Sequence, residues 1–152
     1  MGTGLNFKCN CKNRPEGRNF YLGVGMHYPH ACAETMQEMR DGGYGDEWRQ
    51  VVTEYPDGAV DCERQIYLCD KCGHFEVDEV RDYYIPTESN NHNGCCVWDA
   101  KSDEYQLIRR FSHICPKCQS EMRIANPEAD TLVCPDCHSP LMLNPFGMIM
   151  WD

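Results

Sequence analysis

Apolar and polar positions change period several times along this chain of 152 residues, and each change marks an expected boundary. Residues 19–24 predict a short strand, broken by Gly23 and Gly25. Pro29 suits the first turn of a helix, and Cys32, Met36 and Met39 recur behind it at i, i+4 and i+7. Gly42 and Gly43 end that helix. A second helix is expected from Asp46, with Trp48, Val51, Val52 and Tyr55 on one face and a stop at Pro56 to Gly58. The period then falls to two. Val60, Cys62, Ile66 and Leu68 alternate with polar residues and lead into Cys69, and residues 74–80 can return antiparallel. Residues 86–104 carry turn chemistry with little to bury, which predicts a linker. A strand over 105–114 and short apolar runs at 122–124, 132–133, 141–143 and 148–151 follow. The pattern predicts an α+β protein: a first β unit over 1–85 with a helical hairpin inserted at about 29–56, and a compact second β unit over 105–152. Beyond those two units it predicts no internal repeat.

Such short strands cannot bury a large core, so the cysteines change the picture. Cys115, Cys118, Cys134 and Cys137 form two C-x-x-C pairs separated by fifteen residues. Each pair offers two sulfurs from one tight turn, and two such turns at this spacing match a four-thiolate zinc site. Pro116 and Pro135 fix φ where each turn begins. Cys69 and Cys72 make a third turn of this type, with Gly73 free to adopt the left-handed conformation that closes it. Its expected partner is Cys9 with Cys11, and Cys95 with Cys96 is the competing pair. The long insertion between residues 11 and 69 is no obstacle, because loop-closure cost grows only logarithmically. The expected cofactor is Zn²⁺, about two per chain, with iron at one site as the alternative.

Composition narrows the setting. Twelve cysteines could build disulfides in a secreted chain, but the start of the sequence has no apolar signal-like stretch, and no apolar run reaches membrane-spanning length. Thiolates on metal in the cytoplasm are expected. The formal net charge is −10, and residues 41–104 carry five basic against sixteen acidic side chains. Two four-thiolate zinc sites would deepen this to about −14. Nucleic acid, which needs clustered Lys and Arg, is disfavoured as a partner, and a protein partner is expected.

Through Cys115, Cys118, Cys134 and Cys137 the second half resembles zinc ribbons and rubredoxin-like folds. The whole chain also resembles uncharacterised bacterial proteins with paired zinc knuckles, through residues 21–25, Pro29, Glu34, Thr35, 45–48, 69–73 and 149–152. This resemblance implies two zinc-ribbon units and carries no known activity, since ribbons serve many unrelated functions. Structural zinc sites are closed by four protein ligands, so a non-enzymatic protein-interaction role is expected, with rubredoxin-like electron transfer as the alternative. Several other readings arise. Cys134, Cys137 and His138 match a haem-attachment pattern already claimed by the knuckles. Cys32, Glu34, Cys69 and Cys72 resemble zinc deaminase spacing, but Leu68 stands where that pattern has Pro. His27, His30, Cys32 and Cys62 could form a third metal site, and Cys95 with Cys96 a redox pair. The apolar run 141–151 is expected to be a final strand over the second metal unit, or else a docking surface.

Overall fold

A computed structural model describes residues 2–9, 11, 16–87, 94–144 and 149–151. The chain is α+β, with two helices and two antiparallel sheets among the described residues. It divides into two compact units that are interleaved in sequence. The knuckle unit comprises Met1–Gly25, Arg64–Asp78 and Ser112–Asp152, and the helical unit Met26–Glu63 and Glu79–Phe111. The expected units over 1–85 and 105–152 do not coincide with these. The reason lies in strand pairing, which joins segments from both ends of the chain.

The knuckle unit begins with β1 (Gly2–Lys8) and β2 (Arg18–Gly23), paired antiparallel from Gly2↔Gly23 to Phe7↔Arg18. Gly17 sits between the first cysteine pair and β2. Its φ is +85°, and an added Cβ would lie 2.5 Å from the Phe7 carbonyl oxygen, so only glycine lets the chain enter the pairing here. β4 (Arg64–Leu68) and β5 (Phe75–Glu79) on one side and β10 (Ile149–Trp151) on the other extend the sheet to the order β10-β1-β2-β4-β5. β8 (Arg123–Ile124) pairs with β4, and β9 (Met142–Leu143) and β10 both pair with β1. The apolar run at the end of the sequence is therefore strand on β1 at both ends, while Phe146 lies outside the described residues. Phe7, Ile66, Leu68, Ala125, Leu132 and Leu141 are buried together with Cys11 and Cys134, and Phe20 packs edge-on between Phe7 and Phe75. Buried Asn6 is satisfied on three sides: its amide donates to Glu16 O and Asn19 Oδ1, and its Oδ1 accepts from Asn144.

The helical unit has a conventional apolar core. α1 (Tyr28–Asp41) starts with Pro29 in its first turn and buries Tyr28, Cys32, Thr35, Met36 and Met39 along one stripe. It ends at Gly42, whose φ of +82° lets its N–H return to the last turn. α2 (Asp46–Glu54) buries Trp48 and Val52. Both helices stand where their periodicity predicts. The sheet has the order β3-β6-β7, from β3 (Ala59–Asp61), β6 (Asp82–Pro86) and β7 (Tyr105–Arg109). The expected single strand through Val60 and Leu68 is thus two strands, β3 and β4, one in each unit. The helices are not a bare hairpin insertion but half of a unit with its own sheet.

The expected linker is also corrected. Pro86 pairs with Tyr105, so the segment between them connects neighbouring strands of one sheet. Cys96 bridges to Val60, and Cys96 and Val97 are buried. Residues 88–93 lie outside the described set. Among the described residues no helix is long and apolar enough to cross a membrane.

Candidate metal centres

Three C-x-x-C turns share one backbone geometry. In each, the first cysteine's C=O accepts from the residue after the second cysteine, at 2.8 Å for Gly73, 2.9 Å for Gln119 and 2.9 Å for His138. The first cysteine's N–H then donates to a carbonyl further on: His74 at 2.8 Å, Ser120 at 2.8 Å and Ser139 at 2.9 Å. The residue after the second cysteine is left-handed in all three, with φ of +70° at Gly73, +59° at Gln119 and +57° at His138. Glycine is therefore not required there, although a side chain in this region is strained.

These turns and the Cys9, Cys11 pair assemble two four-sulfur groups. Cys9, Cys11, Cys134 and Cys137 form the first, and Cys69, Cys72, Cys115 and Cys118 the second, with all sulfurs of a group within 4.8 Å of one another. Sulfur separations are 3.7 Å for Cys9 and Cys134, 3.4 Å for Cys69 and Cys118, and 3.5 Å for Cys72 and Cys115. A disulfide needs about 2.05 Å. A tetrahedral four-thiolate zinc, with bonds of about 2.3 Å, sets its sulfurs roughly 3.8 Å apart. The spacing suits a shared metal ion, not a cystine.

The eight cysteines singled out from sequence are the eight brought together here, but the expected partners are exchanged. Cys115 and Cys118 do not share a group with Cys134 and Cys137, nor Cys69 and Cys72 with Cys9 and Cys11. The strands explain why. Each C-x-x-C of the second half closes on itself, through the bridges Ile114↔Glu121 and Val133↔Pro140. Its outgoing strand then pairs with the strand that leads into a cysteine pair from earlier in the chain. Leu68, just before Cys69, pairs with Arg123, and Lys8, just before Cys9, pairs with Met142. Arg123 and Met142 both lie five residues beyond their knuckle's second cysteine. The two centres are built on the same register.

The sequence carries a signal for this arrangement, against the expectation of no internal repeat. Residues 114–124 and 133–143 are a repeat offset by nineteen positions, matching Cys115 to Cys134, Pro116 to Pro135, Cys118 to Cys137 and Ser120 to Ser139. Burial repeats as well: Met122 and Leu141 are buried, and Ile114 and Val133 are exposed. Two equivalent trailing knuckles imply one leading pair for each, whereas nearness in sequence favoured joining the two repeats on one metal.

The electrostatic surroundings of the sulfurs differ within each group. Hydrogen bonds from the Ser120 hydroxyl and N–H pull the Cys118 thiol down to about 6. The Cys137 and Asp136 N–H groups do the same for Cys134, also to about 6, against its burial. Burial, followed by the sulfurs of Cys134 and Cys137, outweighs the Cys11 N–H and pushes Cys9 up to about 11. At Cys72 the His74 N–H acts downward, but desolvation and the sulfurs of Cys115, Cys118 and Cys69 carry it up to about 12. Each group thus offers its sulfurs N–H donors, and a divalent cation bound there would favour the deprotonated form of all four.

Arginine–carboxylate clamps flank both groups. Arg123 reaches both Asp70, inside the leading knuckle, and Asp130, at 2.8–3.0 Å. Arg18 pairs with Asp136 in the trailing knuckle of the first group.

The possible third site through His27 and His30 does not assemble. Both histidines are exposed, and His30 faces Glu34 at 3.1 Å, whereas Cys32 points into the helical unit's core. There Cys32 donates to Val60 O at 3.4 Å and Cys62 to Thr35 Oγ1 at 3.5 Å, and buried Cys96 lies alongside. Cys95 is half-buried and, with Cys96, takes no part in either four-sulfur group. No family model, curated protein or solved structure matches this chain, and its centres stand on their own geometry.

Proposed function

We propose that the protein is a zinc-binding, non-enzymatic interaction module in which two structural zinc ions organise the knuckle unit and the helical unit meets a protein partner. The observation that carries the metal reading is the convergence of all four sulfurs within 4.8 Å in each of two groups. Thiolate sets of this kind favour zinc among the divalent ions a cell supplies, and four protein ligands leave no position for water or substrate. Backbone N–H groups in the knuckles, the Ser120 hydroxyl and Arg18 then serve to hold thiolates, while Arg123 ties the leading knuckle's Asp70 to Asp130.

Charge supports the partner reading. The helical unit carries six basic and fifteen acidic side chains, the knuckle unit eight and nine. Nearly all of the net charge of −10 therefore belongs to the helical unit. A basic protein surface complements it, and such contacts weaken as salt rises.

Metal analysis of protein purified without added metal tests the first claim. The expected result is about two zinc ions per chain and a colourless solution. Stoichiometric iron with strong visible absorption would shift the assignment to the rubredoxin-like alternative, for which the N–H donors to Cys118 and Cys134 are equally suited. Salt-sensitive binding of a basic protein that disappears when the acidic side chains of α1 and α2 are neutralised tests the second.

A further inference from the structure

We propose that Arg18 is a positioning residue of the first centre: its guanidinium compensates the charge of the four thiolates and makes this centre the slower of the two to release metal. The inference rests on both four-sulfur groups holding metal.

Arg18 opens β2 opposite Phe7, directly after Gly17. That close approach sets its side chain against the trailing knuckle of the first group. Nη2 lies 3.9 Å from Cys134 Sγ and pairs with the Asp136 carboxylate in the same turn. Cys134 is fully buried, and the Arg18 side chain is only 15% exposed. Its Nε is buried and has no hydrogen-bond partner among the described residues. A divalent ion on four thiolates keeps a net charge of about −2, and a guanidinium hydrogen-bonded to one sulfur offsets part of it where water cannot. Asp136 fixes the guanidinium in place, as outer partners of metal ligands do.

The second centre is built differently. In the nineteen-residue repeat Lys117 stands where the first centre has Asp136, so the carboxylate that anchors Arg18 has no counterpart. The arginine near this centre, Arg123, is bound to Asp70 and Asp130, and among the described residues it makes no hydrogen bond to a sulfur. Cys72 is the exposed member of the eight cysteines, and it borders a cleft of about 320 Å³ that is lined also by His74, Lys117 and, from the first group's trailing knuckle, Cys134, Pro135 and His138. Both groups border this cleft, so the distinction lies in the exposed Cys72 sulfur, which a chelator can take first, and in the guanidinium held on Cys134 of the first centre.

Release of metal to a colorimetric chelator from the two-zinc protein tests this, with Arg18→Met, Arg18→Lys and Asp136→Asn as variants. Wild type should release one equivalent quickly and one slowly, and Cys11→Ser, which removes the first centre, should show the fast phase alone. Arg18→Met should accelerate the slow phase by roughly tenfold and leave the fast phase unchanged. Arg18→Lys should recover part of the difference, and Asp136→Asn should accelerate the slow phase to a smaller degree. In the cobalt-loaded protein the thiolate-to-cobalt absorption of one centre should shift in Arg18→Met while that of the other stays. Wild-type release kinetics in Arg18→Met, or equal acceleration of both phases, overturns the proposal. If Arg18→Met fails to load its first centre, Asp136→Asn and Arg18→Lys decide on the same criteria. Wild type holding fewer than two metal ions defeats the metal reading instead, a result distinct from two ions with unaltered kinetics.

Discussion

The knuckle unit builds its sheet partly from strands of two residues, β8 and β9, and its buried apolar set includes Cys11 and Cys134 themselves. The helical unit, of similar size, buries Met36, Met39, Val52, Val60 and Tyr83 behind two helices and a three-stranded sheet. It also contains four cysteines, yet Cys32 and Cys62 act there as small buried side chains with weak hydrogen bonds, the usual role of a free cysteine in a core. The difference teaches what a metal replaces. Where strands are too short to exclude water over a wide face, four thiolates and one ion supply the cross-links; where a helix offers a continuous apolar stripe, thiols are packing atoms.

The strongest way to break this comparison is to remove the metals. Apparent zinc binding of about 10–16 kcal/mol per site exceeds the net stability of most small domains. Chelation should abolish amide protection in residues 2–9, 64–78 and 112–144 while leaving α1, α2 and the β3-β6-β7 sheet protected, as read by hydrogen exchange. Loss of protection in both units together would show that the helical unit has no independent core.

The converse is a lesion confined to the helical unit. A Cβ on Gly58 would lie 2.3 Å from the Tyr83 hydroxyl, which is committed to the Tyr55 carbonyl at 2.6 Å on a fully buried side chain. Overpacking and the strained hydrogen bond should cost Gly58→Ala about 2–4 kcal/mol in the helical unit. Metal content should stay at two ions per chain. Loss of a metal ion in this variant would tie the two units together energetically.

The helices were legible in the sequence because their signals are local. Pro29, the spacing of Cys32, Met36 and Met39, and Gly42 each act within a turn or two. The eight sulfur positions were legible for the same reason, since a C-x-x-C turn is self-contained. What was not legible is which strands pair. β1 meets both β2 and β9, and residues 62–63 pass from one unit to the other with no glycine or proline to mark the crossing. Alternation continues through Val60, Cys62, Ile66 and Leu68 although β3 is buried throughout and β4 over its last three residues, so period alone cannot divide them. The repeat at nineteen residues was the available clue to the partners.

A pH measurement sharpens the contrast in the helical unit. Burial pushes the Asp61 carboxyl up to about 6 from 3.8, against opposing hydrogen bonds from the Glu63 N–H and the Tyr28 hydroxyl, with Glu63 and Asp82 adding repulsion. A raised carboxyl favours the folded state when protonated. Its stabilising contribution is complete below about pH 3.8 and is lost as pH rises through about 6. The helical unit should lose roughly 1–3 kcal/mol across that window. Asp61→Asn should flatten the dependence, read as the urea midpoint at helical-unit amides. An unchanged slope in Asp61→Asn would remove Asp61 from the account.

The smallest effect concerns the knuckles. Gln119→Gly and His138→Gly each relieve a left-handed side chain, at φ of +59° and +57°. Each should stabilise the knuckle unit by about 0.5–1 kcal/mol, after the entropy that glycine loses on folding. Thermal melts of the two-metal protein resolve this, and a destabilised variant would mean that the side chain, not the backbone, holds the turn.

The central claim is the exchange of partners between the cysteine pairs, and cadmium replacement tests it most directly. In protein loaded with ¹¹³Cd, through-bond proton–cadmium correlations identify the cysteines on each ion. The structure predicts one cadmium correlated with Cys9, Cys11, Cys134 and Cys137 and the other with Cys69, Cys72, Cys115 and Cys118. A single cadmium correlated with Cys115, Cys118, Cys134 and Cys137 would contradict it.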